Sequence, residues 1–364
     1  MEDSIKGMII GHALGDAFGA SFSNQEYTGK LEYIRRKHKN KGTIFATLGQ
    51  TTDITEMALA LWESLIIFPE YNRDNTINSY IEWANSGCPF LRKETGLMFE
   101  GITSIKGYKL RCQKYRYMLE NSENNQCLSR CYPLCFLDNI SQIDCSLTNT
   151  SEICQEAVYI YCQILNMVIS KFCIENILKF IKDNLSNSFL IEAYNDAIYG
   201  FGTRNLLNRK DWVAHGFYCA IWALCKSTSY KQGIDFIINH SHICGYYGDT
   251  SSNAAIAGAI LGAKFGLENM QICDRLYKEI SMILTCNTNI GNLPRQYKYV
   301  LSMNKINTIL SIIIIRKSPP LISNEFCDSE NEETLKKEKK KYHWPDAIDD
   351  ETRTFSTKKS KFIM

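Results

Sequence analysis

A chain of 364 residues with 45% apolar and 22% charged residues is long enough to bury a large core as one domain or two. A formal net charge of +2 leaves no overall footprint for nucleic acid, and no run of about 18 apolar residues is present to span a bilayer. The opening MEDSIKGMII lacks the basic region of a secretory signal, and the 15 cysteines, an odd number, fit a reducing, cytoplasmic setting where Cys serves as a small buriable residue.

Residues 1–22 predict a helix with glycine at every fourth position: Gly7, Gly11, Gly15 and Gly19. A helical Gly costs about 1 kcal/mol relative to Ala, and residues four apart share a face. Such a stripe predicts close approach of another backbone. Residues 23–50 are polar and mixed, with KLEYIRRKHKNKG a solvated basic segment. TTDITEMALALW then predicts a helix carrying Met57, Leu61 and Leu65 on one side. Asp53 with Glu56 three residues on resembles a capping box, so the plain role for Asp53 is a helix N-cap.

Residues 76–86 read as an amphipathic helix broken by Gly87 and Pro89, and Leu97–Lys106 as a shorter one. A polar loop at 121–126 precedes CLSRCYPLCFL, where Arg130 beside a helix start has the setting of an ion-pair partner. Cys127, Cys131 and Cys135 are spaced by four, but zinc would want a CxxC or a nearby His pair, and neither is present. Helical periodicity returns over 152–183, 191–200, 211–226, 230–240 and 271–286. Between the last two lies HICGYYGDTSSNAAIAGAILGAKFG, from His242 to Gly266, a polar turn running into almost pure Ala, Gly, Ile and Leu. Two small-residue helices in contact are therefore expected, each with an aspartate at or near an end, Asp16 and Asp249. The plainer alternative is tight core packing with both aspartates facing solvent. From Arg316 onward a proline pair, an acidic block and a lysine block mark 316–364 as a charged, disordered or loosely docked tail after a domain spanning 1–305.

In this order, GMIIGHALGDAFGA, TTDITEMALAL and YYGDTSSNAAIAGAILGA resemble the ADP-ribosylglycohydrolase family, of the dinitrogenase-reductase-activating glycohydrolase type. The segment from Asn125 to Arg130 with Pro133 is similar to that family's Asn-Gly-x-x-Met-Arg-x-x-Pro loop, and the likeness covers roughly residues 1–300. The resemblance implies an all-α, compact orthogonal helical bundle. It implies metal-assisted hydrolysis of the bond between ADP-ribose and a modified protein or related conjugate, in a monomer without membrane or nucleic-acid partners. Magnesium (or manganese) would be the cofactor, because a hard dication bound to about six oxygens can orient the sugar and stabilise developing charge. By position, Thr52, Asp53, Asp249 and Ser252 would be metal ligands, with Asp53 and Asp249 catalytic. Asn125, Arg130, Tyr247 and Gly248 would shape the ADP-ribose site, and Asp16 would act from behind the ligands.

The departures from the family pattern are as informative. Ile54 and Ser251 stand where the family has carboxylates, Tyr247 replaces a glycine, Ser23 replaces an acidic residue and Asn149 a histidine. Losing two carboxylates removes about two negative charges from a site meant for two dications, so one ion, or none, is expected. The resemblance thus implies a hydrolase first, with two alternatives: a degenerate relative that binds ADP-ribose without turnover, and a purely structural protein in which Asp53 and Asp249 serve as helix caps.

Overall fold

Apolar periodicity at helical spacing yields sixteen α-helices among the described residues of the computed structural model, which are 1–23, 26–32, 34–38, 42–68, 70–200, 204–243, 246–285 and 296–317. The first half holds α1 (Glu2–Ser21), α2 (Asp53–Ile67), α3 (Arg73–Asn85), α4 (Lys93–Phe99), α5 (Ile105–Lys114), α6 (Arg116–Asn121), α7 (Gln126–Arg130) and α8 (Ser141–Cys145). The second holds α9 (Glu152–Ile169), α10 (Ile174–Asn184), α11 (Ser188–Tyr199), α12 (Val213–Lys226), α13 (Tyr230–His240), α14 (Thr250–Ile272), α15 (Tyr277–Leu284) and α16 (Met303–Lys317). The expected all-α fold is what forms. Among the described residues, no helix is long and apolar enough to cross a membrane.

The centre of the core is the antiparallel pair α1 and α14. Gly7 meets Gly262, Gly11 meets Gly258, Gly15 meets Ala254 and Gly19 meets Thr250. A methyl at any of the four α1 glycines would collide with a backbone carbonyl oxygen of α14, which accounts for their spacing. Side chains reinforce the seam. The Tyr230 hydroxyl donates to the Gly11 carbonyl at 2.6 Å, and the Thr250 hydroxyl to that of Gly19 at 2.7 Å. α14 breaks at Gly266, whose φ of 82° lies in the left-handed region that favours glycine. Just past the break, Asp3 accepts the Glu268 N–H at 3.0 Å.

Three expectations change. The periodic stretch at 152–183 is two helices, because Lys171 turns at φ 61° and α9 closes with Phe172 N–H donating to the Met167 carbonyl at 3.0 Å. The segment at 23–50 contains an antiparallel ribbon, β1 (Ile34–His38) with β2 (Gly42–Ala46), and a two-residue ribbon, β3 (His242–Ile243) with β4 (Tyr246–Tyr247), precedes α14. The boundary expected at 305 moves outward: one unit runs from Met1 to Ser318, and α16 buries Ile306, Ile309 and Ile313 completely. The tail expected from 316 lies outside the described residues beyond 317.

An arginine bridge between two acidic helix ends

Both acidic segments open a helix, and the two openings meet. At α2 the N-cap is Thr52 rather than Asp53: its side chain accepts the Ile54 N–H at 3.4 Å. Asp53, the first residue of the helix, therefore keeps its carboxylate for something else. At α14 the cap is Asp249, which accepts the Ser252 N–H at 3.4 Å.

What joins them is Arg92, the residue before α4. Gly87, at φ 79°, turns the chain after α3, and the buried Cys88 and Phe90 anchor the short connection, with its turn at 89–90, that delivers Arg92 to the junction. Its Nε lies 3.2 Å from Asp53 Oδ2, and its Nη1 donates to Asp249 Oδ2 at 3.0 Å. Nη2 donates to the Ser252 hydroxyl at 2.7 Å and to Asp249 Oδ1 at 3.4 Å. The side chains are 16%, 7% and 11% exposed for Arg92, Asp53 and Asp249, so the cluster is shielded yet touches solvent. Burial alone would push the Asp249 carboxyl up, but the Arg92 guanidinium and the Ser252 donors outweigh it and hold it below the usual range. Burial likewise works against the Arg92 charge, and Asp249 and Asp53 overcome it.

Behind this bridge stands Asp16, fully buried on α1. It accepts from the Thr52 N–H at 2.8 Å, the Thr52 hydroxyl at 2.7 Å, the Thr55 N–H at 3.2 Å and the Thr55 hydroxyl at 2.7 Å. Burial pushes its carboxyl up to about 6, against the pull of those donors. Asp16 thus ties the glycine-striped helix to the first turn of α2 and fixes where Asp53 points from. Glu56, the other member of the expected capping box, instead accepts the Trp83 indole N–H at 3.0 Å.

On the α14 side, Asn253 follows Ser252 and accepts from Asn125 Nδ2 at 3.3 Å. Asn125 Oδ1 and Asn253 Nδ2 have no partner among the described residues although both side chains are buried. A buried polar pair left unsatisfied costs free energy, and a bound polar molecule would relieve it. Gly248 passes close to the Leu206 carbonyl oxygen, and its N–H donates to the Ser241 carbonyl at 2.7 Å. The backbone of Tyr247 pairs with His242 in β4, and its side chain lies outside the described residues.

Arg130 lies in a buried network. It is 1% exposed, with Nε and Nη2 donating to the Asp144 carboxylate and carbonyl at 2.9 Å and Nη1 to the Thr148 hydroxyl at 2.9 Å. It forms a buried ion pair with Asp144 from the last residue of α7, the ion-pair role that the sequence suggested. Asn149, where the family pattern has histidine, belongs to the same network: it accepts from the Thr148 hydroxyl at 2.7 Å and donates to the Ser122 carbonyl at 3.2 Å. Arg92 is the residue that sequence reasoning misses. Its only advance sign is charge balance, since two aspartates kept without their fellow carboxylates need some cation.

The residues present do not fit the two-ion centre that the family pattern implies. Ile54 is an apolar core side chain at 3% exposure, and Ser251 offers a hydroxyl that itself donates to Asp249 at 3.4 Å. Of the remaining oxygens, the Thr52 hydroxyl donates to Asp16, and Arg92 engages Asp53 Oδ2, both oxygens of Asp249 and the Ser252 hydroxyl. Among the described residues no group of three or more His, Cys, Asp or Glu side chains is arranged to hold a metal, the buried cysteines at 127, 131 and 135 included.

Comparison with known proteins agrees with this architecture. Residues 1–292 match the family model described as ADP-ribosylglycohydrolase. A protein of Acanthamoeba polyphaga mimivirus, named as an ADP-ribosyl glycohydrolase, is 27% identical over 291 residues, which cover 71% of this chain and 85% of that one. A solved structure titled ADP-ribosylglycohydrolase-related protein complex superposes with a TM-score of 0.56 at 16% identity, covering 86% of this chain and 98% of its own, and shares the fold.

Proposed function

The chain belongs to the ADP-ribosylglycohydrolase family, whose reaction is hydrolysis of ADP-ribose linkages, and on that premise we propose that the junction of α2 and α14 receives ADP-ribose or the ADP-ribosyl group of a modified protein. It binds this group without metal-assisted turnover. The Arg92 bridge carries the reading. A glycosidic bond breaks only if charge developing on the sugar is stabilised and a base or ordered water is available. Here the two carboxylates that could serve are both engaged by one guanidinium shared between them. Recognition needs less. The unpaired Asn125 Oδ1 and Asn253 Nδ2, closed off from solvent next to Ser252, would serve as an acceptor and a donor once a ligand opens that contact.

Hydrolysis of the ADP-ribosyl bond on modified proteins is the second reading, favoured by retention of Thr52, Asp53, Asp249 and Ser252 at two facing helix N-termini. In it, Asp53 and Asp249 are the catalytic pair and Arg92 must swing aside. Calorimetric titration with ADP-ribose, alongside a single-turnover assay for ADP-ribose release from a modified protein with and without Mg²⁺, separates the two. Saturable binding without release is the expected result. Release that disappears in both Asp53→Asn and Asp249→Asn would establish the hydrolase, and neither binding nor release would end both readings.

A further inference from the structure

Resting on the ADP-ribosyl reading but testable apart from it, we propose that Arg92 is the resident cation of this site: its guanidinium cross-links Asp53 to Asp249 as a divalent ion would, and the site assembles and binds its ligand without metal. The planar fork spans two carboxylates that come from helix ends almost two hundred residues apart in sequence, contacting one oxygen of Asp53, both of Asp249, and Ser252 Oγ. Guanidinium geometry suits such multidentate oxygen contacts, where a Lys ammonium would not.

Charge and space point the same way. The two positions lost as carboxylates, Ile54 and Ser251, flank the two kept, Asp53 and Asp249. One guanidinium against two carboxylates leaves a net of about one negative charge, close to balance without any ion. A Mg²⁺ bound at about 2.1 Å from Asp249 would stand within roughly 5 Å of the guanidinium that holds the same oxygens, and the two cations would repel. Arg92 would have to leave first. Of its five N–H groups, two donate to Asp249 and one to Ser252, while Nε faces Asp53 as an ion pair. One N–H on Nη1 remains for a ligand oxygen. The arginine therefore serves both as the link between the helix ends and as a donor to what they bind.

Titration of the full chain with Mn²⁺ and Mg²⁺, followed by calorimetry and by thermal unfolding, tests this. In the wild type, millimolar Mg²⁺ or Mn²⁺ is expected to leave the melting temperature unmoved, and excess EDTA to change ADP-ribose affinity by less than about twofold. In Arg92→Ala the two carboxylates face each other without a cation. The variant is expected to melt lower and to recover on adding Mn²⁺, while Arg92→Lys, which keeps the charge and loses the fork, falls between. Saturable Mn²⁺ binding to the wild type at micromolar concentration, or ADP-ribose affinity that collapses roughly tenfold or more in EDTA, would overturn the proposal. An Arg92→Ala variant as stable as the wild type would overturn it equally. Should Arg92→Ala fail to fold, the wild-type metal titration and Arg92→Lys still decide. If ADP-ribose does not bind the wild type at all, the functional reading falls while the metal and stability arms still report on Arg92.

Discussion

The two ends of α14 are built on different principles. Along its stem, Gly258 and Gly262 lie against α1 backbone to backbone, and any added carbon meets a carbonyl oxygen. At its N-terminus, Asp249 and Ser252 are held by a single long side chain from a distant segment. The stem is specified by spacing alone. The tip is specified by which charges come together after folding, and so one stretch of helix joins a part that sequence displays to a part that it conceals.

Substitutions should separate these principles by size. The largest effect is expected in the stem: Gly262→Val places branched carbons on the Gly7 carbonyl, and a loss of more than about 4 kcal/mol in denaturant unfolding, or no folded protein, follows. A titration next to the stem comes second. His12 on α1 is fully buried, and burial holds its imidazole down to about 4. A group whose folded value lies below its unfolded one contributes stability that is complete above about 6.5 and is lost as pH falls toward 4, a change on the order of 3 kcal/mol. Unfolding free energies measured between pH 7 and about 4 should show this slope, and it should flatten in His12→Gln.

The tip should give less. Arg92→Met leaves Asp53 and Asp249 without their cation; fully buried pairs lose roughly 3–5 kcal/mol on such a change, and the 16% exposure of Arg92 discounts this to about 2 kcal/mol. Chemical denaturation at neutral pH checks it, and a cost as large as that of Gly262→Val would erase the contrast between stem and tip. The smallest effect calibrates what a helix end is worth with no ion pair. Asn72 caps α3 by accepting the Asn75 N–H at 2.9 Å, and Asn72→Ala should cost about 1 kcal/mol by the same measurement.

How much could be read in advance follows the same division. The glycine stripe, the helix from Asp53 and the polar turn before α14 all announce themselves, because each depends on neighbours in sequence. Asp16 is half visible: its place on the stripe is plain, but four hydrogen bonds from Thr52 and Thr55 require the fold. The break after α9 is hidden because Lys171, not glycine, takes the left-handed turn, so the usual signal for a helix end is missing. Arg92 is hidden for a deeper reason. An arginine after a Pro-Phe-Leu segment resembles any surface arginine until α2 and α14 are side by side.

The α1–α14 seam also decides which partner yields when a molecule arrives. Four consecutive turns of α14 are fastened main chain to main chain, so Asp249 has no freedom to slide or roll without lifting the entire seam. Under the proposed function, adjustment would fall to the long side-chain arm of Arg92, since the chain between α3 and α4 is itself anchored by the buried Cys88 and Phe90. For the proposed function, that fixed wall would set which groups fit beside Asp249.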